Sequence, residues 1–255
     1  MSIKQGNIVV AGSGGLLGSC LVKKLLEKGY SVIAVDLSES NTINRLSEIG
    51  VDYRAYPKLE ICTLNITHES DVIRFFEARN DISGVVNTTY PRNKSYGNSL
   101  MDVSLASFNE NLNLHLGSYF SFMQQCAKYF LRVKKPMSVV NITSVYGVIA
   151  PRFDVYQDTK MTMPVEYAAI KSAIIHLTKY FSKFISDSRF RINCVSPGGI
   201  LDSQPEAFLN SYERYTNGAG MLDVEAVIGS VIFLLNEESK FITGQNLIVD
   251  DGFSL

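Results

Sequence analysis

Ile8-Val9-Val10-Ala11-Gly12-Ser13-Gly14-Gly15-Leu16-Leu17-Gly18 joins an apolar β-branched run to a glycine cluster and to Leu16–Lys28, whose apolar residues recur at helical spacing. That order reads as strand, turn, helix. Further apolar runs stand at Ser31–Val35, closed by Asp36, and at Leu59–Ile66, Val85–Asn87, Ser138–Ile142, Arg191–Val195 and Leu247–Val249. Charged stretches of helical period lie between them, the clearest at Glu69–Arg79. Continuously apolar strands alternating with amphipathic helices are what a parallel sheet covered on both faces requires, because right-handed crossovers place the helices on the faces. The expectation is an α/β fold built on one doubly wound sheet of about seven strands.

No repeat, low-complexity tract or Pro/Gly/Ser-rich linker divides the 255 residues, so a single domain over 1–255 is expected. Two long helical stretches, Leu100–Arg132 and Pro164–Ser186, are candidates for subunit contacts. Lys plus Arg number 24 and Asp plus Glu 25, a formal net charge of −1 that offers no broad field to nucleic acid or an anionic membrane. Cys20, Cys62, Cys126 and Cys194 have neither CxxC nor metal-ligand spacing and read as reduced core thiols, with no metal site. Met1–Gly6 is polar and lacks the apolar core of a secretion signal. No apolar run approaches the ~20 residues of a membrane helix. The chain therefore reads as cytoplasmic, its partner a small molecule or another subunit.

Gly12, Gly15 and Gly18 directly follow the first strand and open the first helix. Glycine there permits a tight turn, close approach of the backbone to a pyrophosphate and close packing of helix on strand, while free N–H groups and the helix dipole hold the phosphate charge. Asp36 closes the second strand, where a carboxylate accepts from both adenosine ribose hydroxyls and repels a 2′-phosphate. No Arg or Lys stands in the glycine loop or at Leu37 and Ser38, which favours NAD over NADP. The alternative for Asp36 is a cap on the following turn.

Tyr167 and Lys171 are four positions apart in Tyr167-Ala168-Ala169-Ile170-Lys171, hence on one helix face. An ammonium beside a phenol favours the phenolate, and the phenol pKa is expected to fall from about 10 towards the working pH of general acid–base chemistry. The pair follows Val139-Val140-Asn141-Ile142-Thr143-Ser144, an apolar strand ending in hydroxyls at the edge of the sheet where open α/β folds bind ligands.

Together with Arg191-Ile192-Asn193 leading to Pro197-Gly198-Gly199-Ile200, and Ile242-Thr243-Gly244-Gln245 before Val249-Asp250-Asp251-Gly252, these motifs make essentially the whole chain resemble the classical short-chain dehydrogenases/reductases. The resemblance implies hydride transfer between nicotinamide and a carbinol or carbonyl carbon. In that reading Tyr167 moves the proton, Ser144 hydrogen-bonds the same oxygen, and Lys171 binds the nicotinamide ribose and tunes Tyr167. Tyr167 and Lys171 then count among the dinucleotide contacts, beside Gly12, Gly15, Leu16, Leu17, Gly18, Asp36, Asn65, Ile66 and Asn87, and Pro197, Gly199 and Ile200 at the nicotinamide amide. It further implies a homodimer or homotetramer.

Four features depart from the family's pattern. The glycine spacing matches an extended branch, whereas classical members place the second glycine at Leu16, but the chain is too short for that branch's C-terminal substrate domain. Thr88-Thr89-Tyr90 replaces Asn-Ala-Gly after Asn87 and brings larger side chains to the cofactor. His115 falls where the family has a catalytic asparagine. There it would anchor a relay water and add a pH dependence, or be a partly buried helix residue without a catalytic role, with Asn111 and Asn113 as rivals. Lastly, Ser144 and Tyr167 stand farther apart than usual, separated by an insertion at 152–163 that would overhang the substrate site, or form a solvated loop or subunit contact.

Within the insertion, Arg152 and Lys160 would meet a phosphate or carboxylate, and Gln157, Asp154 and Asp158 would take sugar hydroxyls. The segment running into Met163-Pro164-Val165-Glu166 also resembles a flagellin-modification oxidoreductase subgroup associated with surface-sugar biosynthesis. That implies carbohydrate metabolism and a sugar-phosphate or nucleotide-linked sugar substrate. Pro205–Tyr215 reads as a short helix able to close over such a ligand. The competing readings are a reductase of an apolar ketone or acyl chain, and a dinucleotide-sensing or scaffold protein without turnover.

Overall fold

The computed structural model describes residues 6–255; Met1–Gln5, most of the polar lead-in, lie outside them. Strands β1 Asn7–Ala11, β2 Ser31–Asp36, β3 Leu59–Thr63, β4 Ile82–Asn87, β5 Met137–Ile142, β6 Phe190–Pro197 and β7 Asn246–Val249 form one parallel sheet in the order β3-β2-β1-β4-β5-β6-β7. The helices are α1 Leu16–Glu27, α2 Glu39–Glu48, α3 Glu69–Glu77, α4 Leu105–Asn111, α5 Ser118–Val133, α6 Val165–Ile185, α7 Glu206–Glu213 and α8 Val224–Leu235. The doubly wound sheet expected from the sequence is borne out.

Period-two geometry sends successive strand residues to opposite faces, and both faces are apolar here. Ile8, Val10, Val32, Ala34, Val86 and Val140 pack under α1, α2 and α8, whereas Val9, Ala11, Ile33, Val35, Val85 and Val139 pack under α3, α5 and α6. Arg191, 6% exposed, fixes the end of α8 by donating to the carbonyls of Leu234 (2.8 Å), Asn236 (3.1 Å) and Leu235 (3.3 Å). A cation on the last carbonyls of a helix complements its dipole.

Three boundaries differ from the sequence expectation. β3 stops at Thr63 because Asn65 Oδ1 accepts from the Thr67 amide (3.0 Å) and hydroxyl (2.8 Å), turning the chain. β4 begins earlier, at Ile82, which pairs with Asn7; a register shift then passes over Ser83, and Gly84 pairs with Ile8. The stretch 100–132 is not one helix: a short turn at Leu100–Asp102 precedes α4, and a π-helical segment, Leu112–Gly117, separates α4 from α5. Among the described residues no helix is long and apolar enough to cross a membrane.

Candidate active site

Adjacent β1 and β4 send their helices to opposite faces, so a crevice opens beyond the carboxyl ends of the strands. Two adjoining cavities occupy it. One, of about 470 Å³, is lined by Gly12, Gly14, Gly15, Asp36, Asn65 and Ile66. The other, of about 510 Å³, is lined by Leu17, Ser144, Tyr167, Lys171, Pro197, Gly199 and Ile200. Thr88, Thr89 and Tyr90 border both.

The first cavity has the features of a phosphate and ribose cradle. Gly12 has φ +85°, a left-handed backbone that only glycine adopts freely, and a Cβ on it would lie 2.7 Å from Thr88 Oγ1. A Cβ on Gly15 would meet only the Gly12 carbonyl, at 3.3 Å, and otherwise stand in the cleft where a pyrophosphate would approach α1. Asp36 Oδ2 accepts from the Gly14 amide (2.9 Å) and Oδ1 from the Leu37 amide (2.8 Å). The carboxylate thus does cap its turn, and, lining the cavity, it keeps further acceptor capacity on both oxygens. An extended dinucleotide fits this pair of chambers. Leu16, Gly18 and Asn87, expected at the dinucleotide, line neither cavity and act from behind. Gly18 lies under the Gly12 turn, and Asn87 Oδ1 accepts from the Thr89 amide (3.1 Å) and hydroxyl (2.7 Å).

The second chamber brings together Ser144, Tyr167 and Lys171. Gly147 lets the turn after β5 press onto α6: a Cβ there would sit 2.8 Å from the Lys171 carbonyl carbon, and Ser172 Oγ donates to Gly147 O (3.1 Å). Ser144 Oγ accepts from the Tyr146 amide (3.2 Å), which leaves its proton for the Tyr167 phenol oxygen. Burial pushes the Tyr167 phenol above its ordinary value, and the Ser144 hydrogen bond pulls against it. Burial also brings Lys171 down to about 7. Lys171 Nζ donates to Ile142 O (3.0 Å) and stands 5.6 Å from the Tyr167 ring centre. The expected acidification of the phenol by Lys171 is therefore corrected: the ammonium is anchored on a strand carbonyl, and desolvation dominates both groups.

His115 lies in the π-helical segment, is fully buried, and among the described residues has no hydrogen-bond partner at either ring nitrogen. Its ring meets those of Tyr90 and Tyr119, each at 5.2 Å. Burial, then the charges of Lys171 and Arg92, hold its pKa well below the usual histidine value. The imidazole is thus neutral near pH 7, and the pH dependence expected of it does not arise. Of its rivals, Asn111 is taken up by Asn93 and by Glu166 Oε1 (3.2 Å), and Asn113 is exposed.

The insertion does reach the second chamber, but through other residues than expected. Tyr156, Met161, Thr162 and Met163 line it, while Gln157 and Lys160 are exposed outside it. Arg152 donates to Phe253 O (3.1 and 3.2 Å) and Leu255 O (3.0 Å) and stacks 4.3 Å over Tyr215, whose hydroxyl donates to Asp154. Its donors are committed to the chain's own C-terminal carbonyls rather than to an anionic ligand. Phe208 and Tyr212 of α7 form the facing wall; Tyr212 Oη accepts from the Gly199 amide (2.6 Å), and its ring stacks 4.1 Å from that of buried Phe253. The lid segment pointed to Phe208 and Tyr212, whereas nothing in the local pattern marked Phe253. Arg152→Ala is expected to lower stability by about 1–2 kcal/mol while the substrate KM changes little. An unchanged melting temperature with a large rise in KM would return Arg152 to the substrate.

The family model for enoyl-(acyl carrier protein) reductases matches residues 14–254. The chain is 37% identical to the post-translational flagellin modification protein A of Campylobacter coli, over 97% of this chain and 98% of that protein. It is 24% identical to short-chain dehydrogenase reductase 4 of Arabidopsis thaliana, over 97% of this chain and 82% of the relative. Among solved structures, a short chain dehydrogenase from Leptospira borgpetersenii with bound NAD+ superposes with a TM-score of 0.86 at 27% identity, covering 100% of this chain and 94% of the other.

Proposed function

This chain belongs to the short-chain dehydrogenase/reductase family, NAD(P)-dependent oxidoreductases of CH–OH and C=O groups, and we propose that it uses NAD to oxidise or reduce a carbon of a hydroxyl-rich, sugar-type substrate. The observation that carries the reaction is the placing of the Tyr167 phenol, Ser144, Lys171 and Gly199 around one chamber. The nicotinamide supplies or accepts the hydride when bound. Tyr167, kept protonated by its burial, gives its proton to the carbonyl oxygen during reduction and takes it back during oxidation. Ser144 Oγ donates to the same oxygen and stabilises the charge developing on it. Lys171 offers its ammonium to the nicotinamide ribose, and the Pro197–Ile200 backbone faces the nicotinamide amide. The glycine-turn amides hold the pyrophosphate, Asp36 the adenosine ribose, and Asn65 with Ile66 the adenine. His115, neutral and with both ring nitrogens unpartnered among the described residues, is left free to anchor a relay water.

A substrate with an apolar ring face and many hydroxyls suits walls built of Tyr146, Tyr156, Tyr212 and Phe208, since aromatic rings combine a large apolar surface with phenolic handles. The relation to a flagellin modification protein supports the same class. The second reading, an apolar ketone, is favoured by Met161, Met163 and Met221 in the same lining. NADH formation measured over neutral sugars, sugar phosphates and nucleotide-linked sugars, beside an apolar alcohol panel, separates the two. Turnover confined to the apolar panel would sink the carbohydrate assignment.

The same reading makes 1–255 one domain, with 152–163 part of the substrate wall. It makes the α5 and α6 faces, where Phe120, Tyr180 and Phe184 are exposed, the contacts of a homodimer or homotetramer. Light scattering that gives the mass of one chain would contradict the assembly. For cofactor choice, NAD is expected to bind more tightly than NADP. Asp36→Ala should weaken NAD by about 10- to 100-fold, the worth of hydrogen bonds to a charged group, and narrow the ratio. Tighter NADP binding by the parent protein would overturn the role of Asp36.

A further inference from the structure

Lys171 is buried yet forms no ion pair: its ammonium donates to Ile142 O (3.0 Å), and among the described residues no carboxylate lies within pairing distance. What surrounds it instead is aromatic. Its Nζ stands 5.5 Å from the ring centre of Tyr119, 5.6 Å from Tyr167 and 5.7 Å from Tyr90, each inside the range of a cation–π contact. Tyr119 and Tyr167 are held by the helices that carry them. Tyr90 comes from the loop after β4 and is fixed from outside: its hydroxyl donates to that of Tyr96 (2.8 Å), and its ring meets the Tyr96, His115 and Tyr167 rings edge to face at 5.6, 5.2 and 5.7 Å.

We propose that Tyr90 is a positioning residue: it completes, with Tyr119 and Tyr167, an aromatic cage that holds the Lys171 charge in the buried site, and its ring edge sets the plane of the Tyr167 phenol. The negative ring faces replace part of the hydration that burial removes, without the counter-charge that would quench the ammonium. A carboxylate in this place would pair with Lys171 and withdraw it from the ribose; a ring does not compete for its N–H donors. The inference rests on the roles given to Tyr167 and Lys171 above. The other titratable or charged groups facing the ammonium or the Tyr90 ring are His115 from the π-helical segment, Cys194 from β6, Arg92, stacked 4.7 Å over Tyr90, Tyr96 from the same loop, and the buried carboxylate of Glu166 from α6.

The test follows Lys171 itself, in protein free of dinucleotide, by the 13Cε shift in lysine-labelled samples, assigned with Lys171→Arg. Tyr90→Leu is expected to lower the Lys171 titration midpoint by about one pH unit, and Tyr90→Phe, which keeps the ring, to leave it close to the parent value. An unchanged midpoint in Tyr90→Leu overturns the cage. A raised midpoint also overturns it, for it would mean that Tyr90 acts by excluding water. Failure of the underlying catalytic assignment would show separately, as full activity in Tyr167→Phe with the Lys171 titration of Tyr90→Leu still shifted.

Discussion

Tyr167→Phe is expected to lower kcat by about 10²- to 10⁴-fold, the usual contribution of a positioned general acid–base, while dinucleotide affinity stays close to the parent value. The substitution removes one oxygen and little else. The ring, with its edge-to-face contact to Tyr90 and its contact with Lys171, remains, so the cavity keeps its shape. What goes is the phenol oxygen beside Ser144 and the proton it delivers. Ser144 Oγ would still reach the substrate oxygen and polarise it, which leaves residual turnover rather than none. The pH profile carries a second sign. Oxidation needs the phenolate, and burial raises the phenol, so the oxidative rate should climb with pH, and the variant should lose that climb. Undiminished hydride transfer in Tyr167→Phe would remove the phenol from the mechanism.

Ser144, Tyr167 and Lys171 were legible because their signals are local: a helical spacing of four and a strand ending in hydroxyls. Their electrostatics were not, because burial decides them, and burial is set by the whole fold rather than by local spacing. Lys171 faces the Ile142 carbonyl, an acceptor that every residue type offers and no sequence pattern marks. Arg152 failed for the same reason, its donors being spent on the backbone of Phe253 and Leu255 at the far end of the chain. The strands were readable from their apolar runs, since a doubly covered parallel sheet leaves no polar face to confuse the period. The break in the long helix at Leu112–Gly117 was hidden because a π turn needs no proline. Such turns gather at functional sites, and this one carries His115.

Gly18→Ala is expected to be the most damaging single change in the dinucleotide half, although Gly18 lines neither cavity. A Cβ at this position would lie 2.0 Å from Gly12 O, 2.8 Å from Gly12 C and 3.0 Å from Ser13 Cα, all backbone atoms that cannot swing aside. Nor can the turn retreat. The Gly12 and Ser13 amides donate to Val35 O (2.9 and 3.2 Å), the Gly15 amide to Gly12 O (3.0 Å), and Ser13 Oγ is hydrogen-bonded to Thr42 Oγ1 (2.8 Å). The methyl must push α1 away from β1, at about 1–3 kcal/mol for overpacking. The helix then carries its N-terminal amides out of register with the pyrophosphate, and one or two hydrogen bonds to an anion are worth about 100-fold in affinity. Gly15→Ala is the control, because its Cβ would point into the cleft and meet only Gly12 O. It should keep the parent melting temperature and lose dinucleotide affinity alone. Parent-like NAD binding in both variants would mean that this turn does not hold the pyrophosphate.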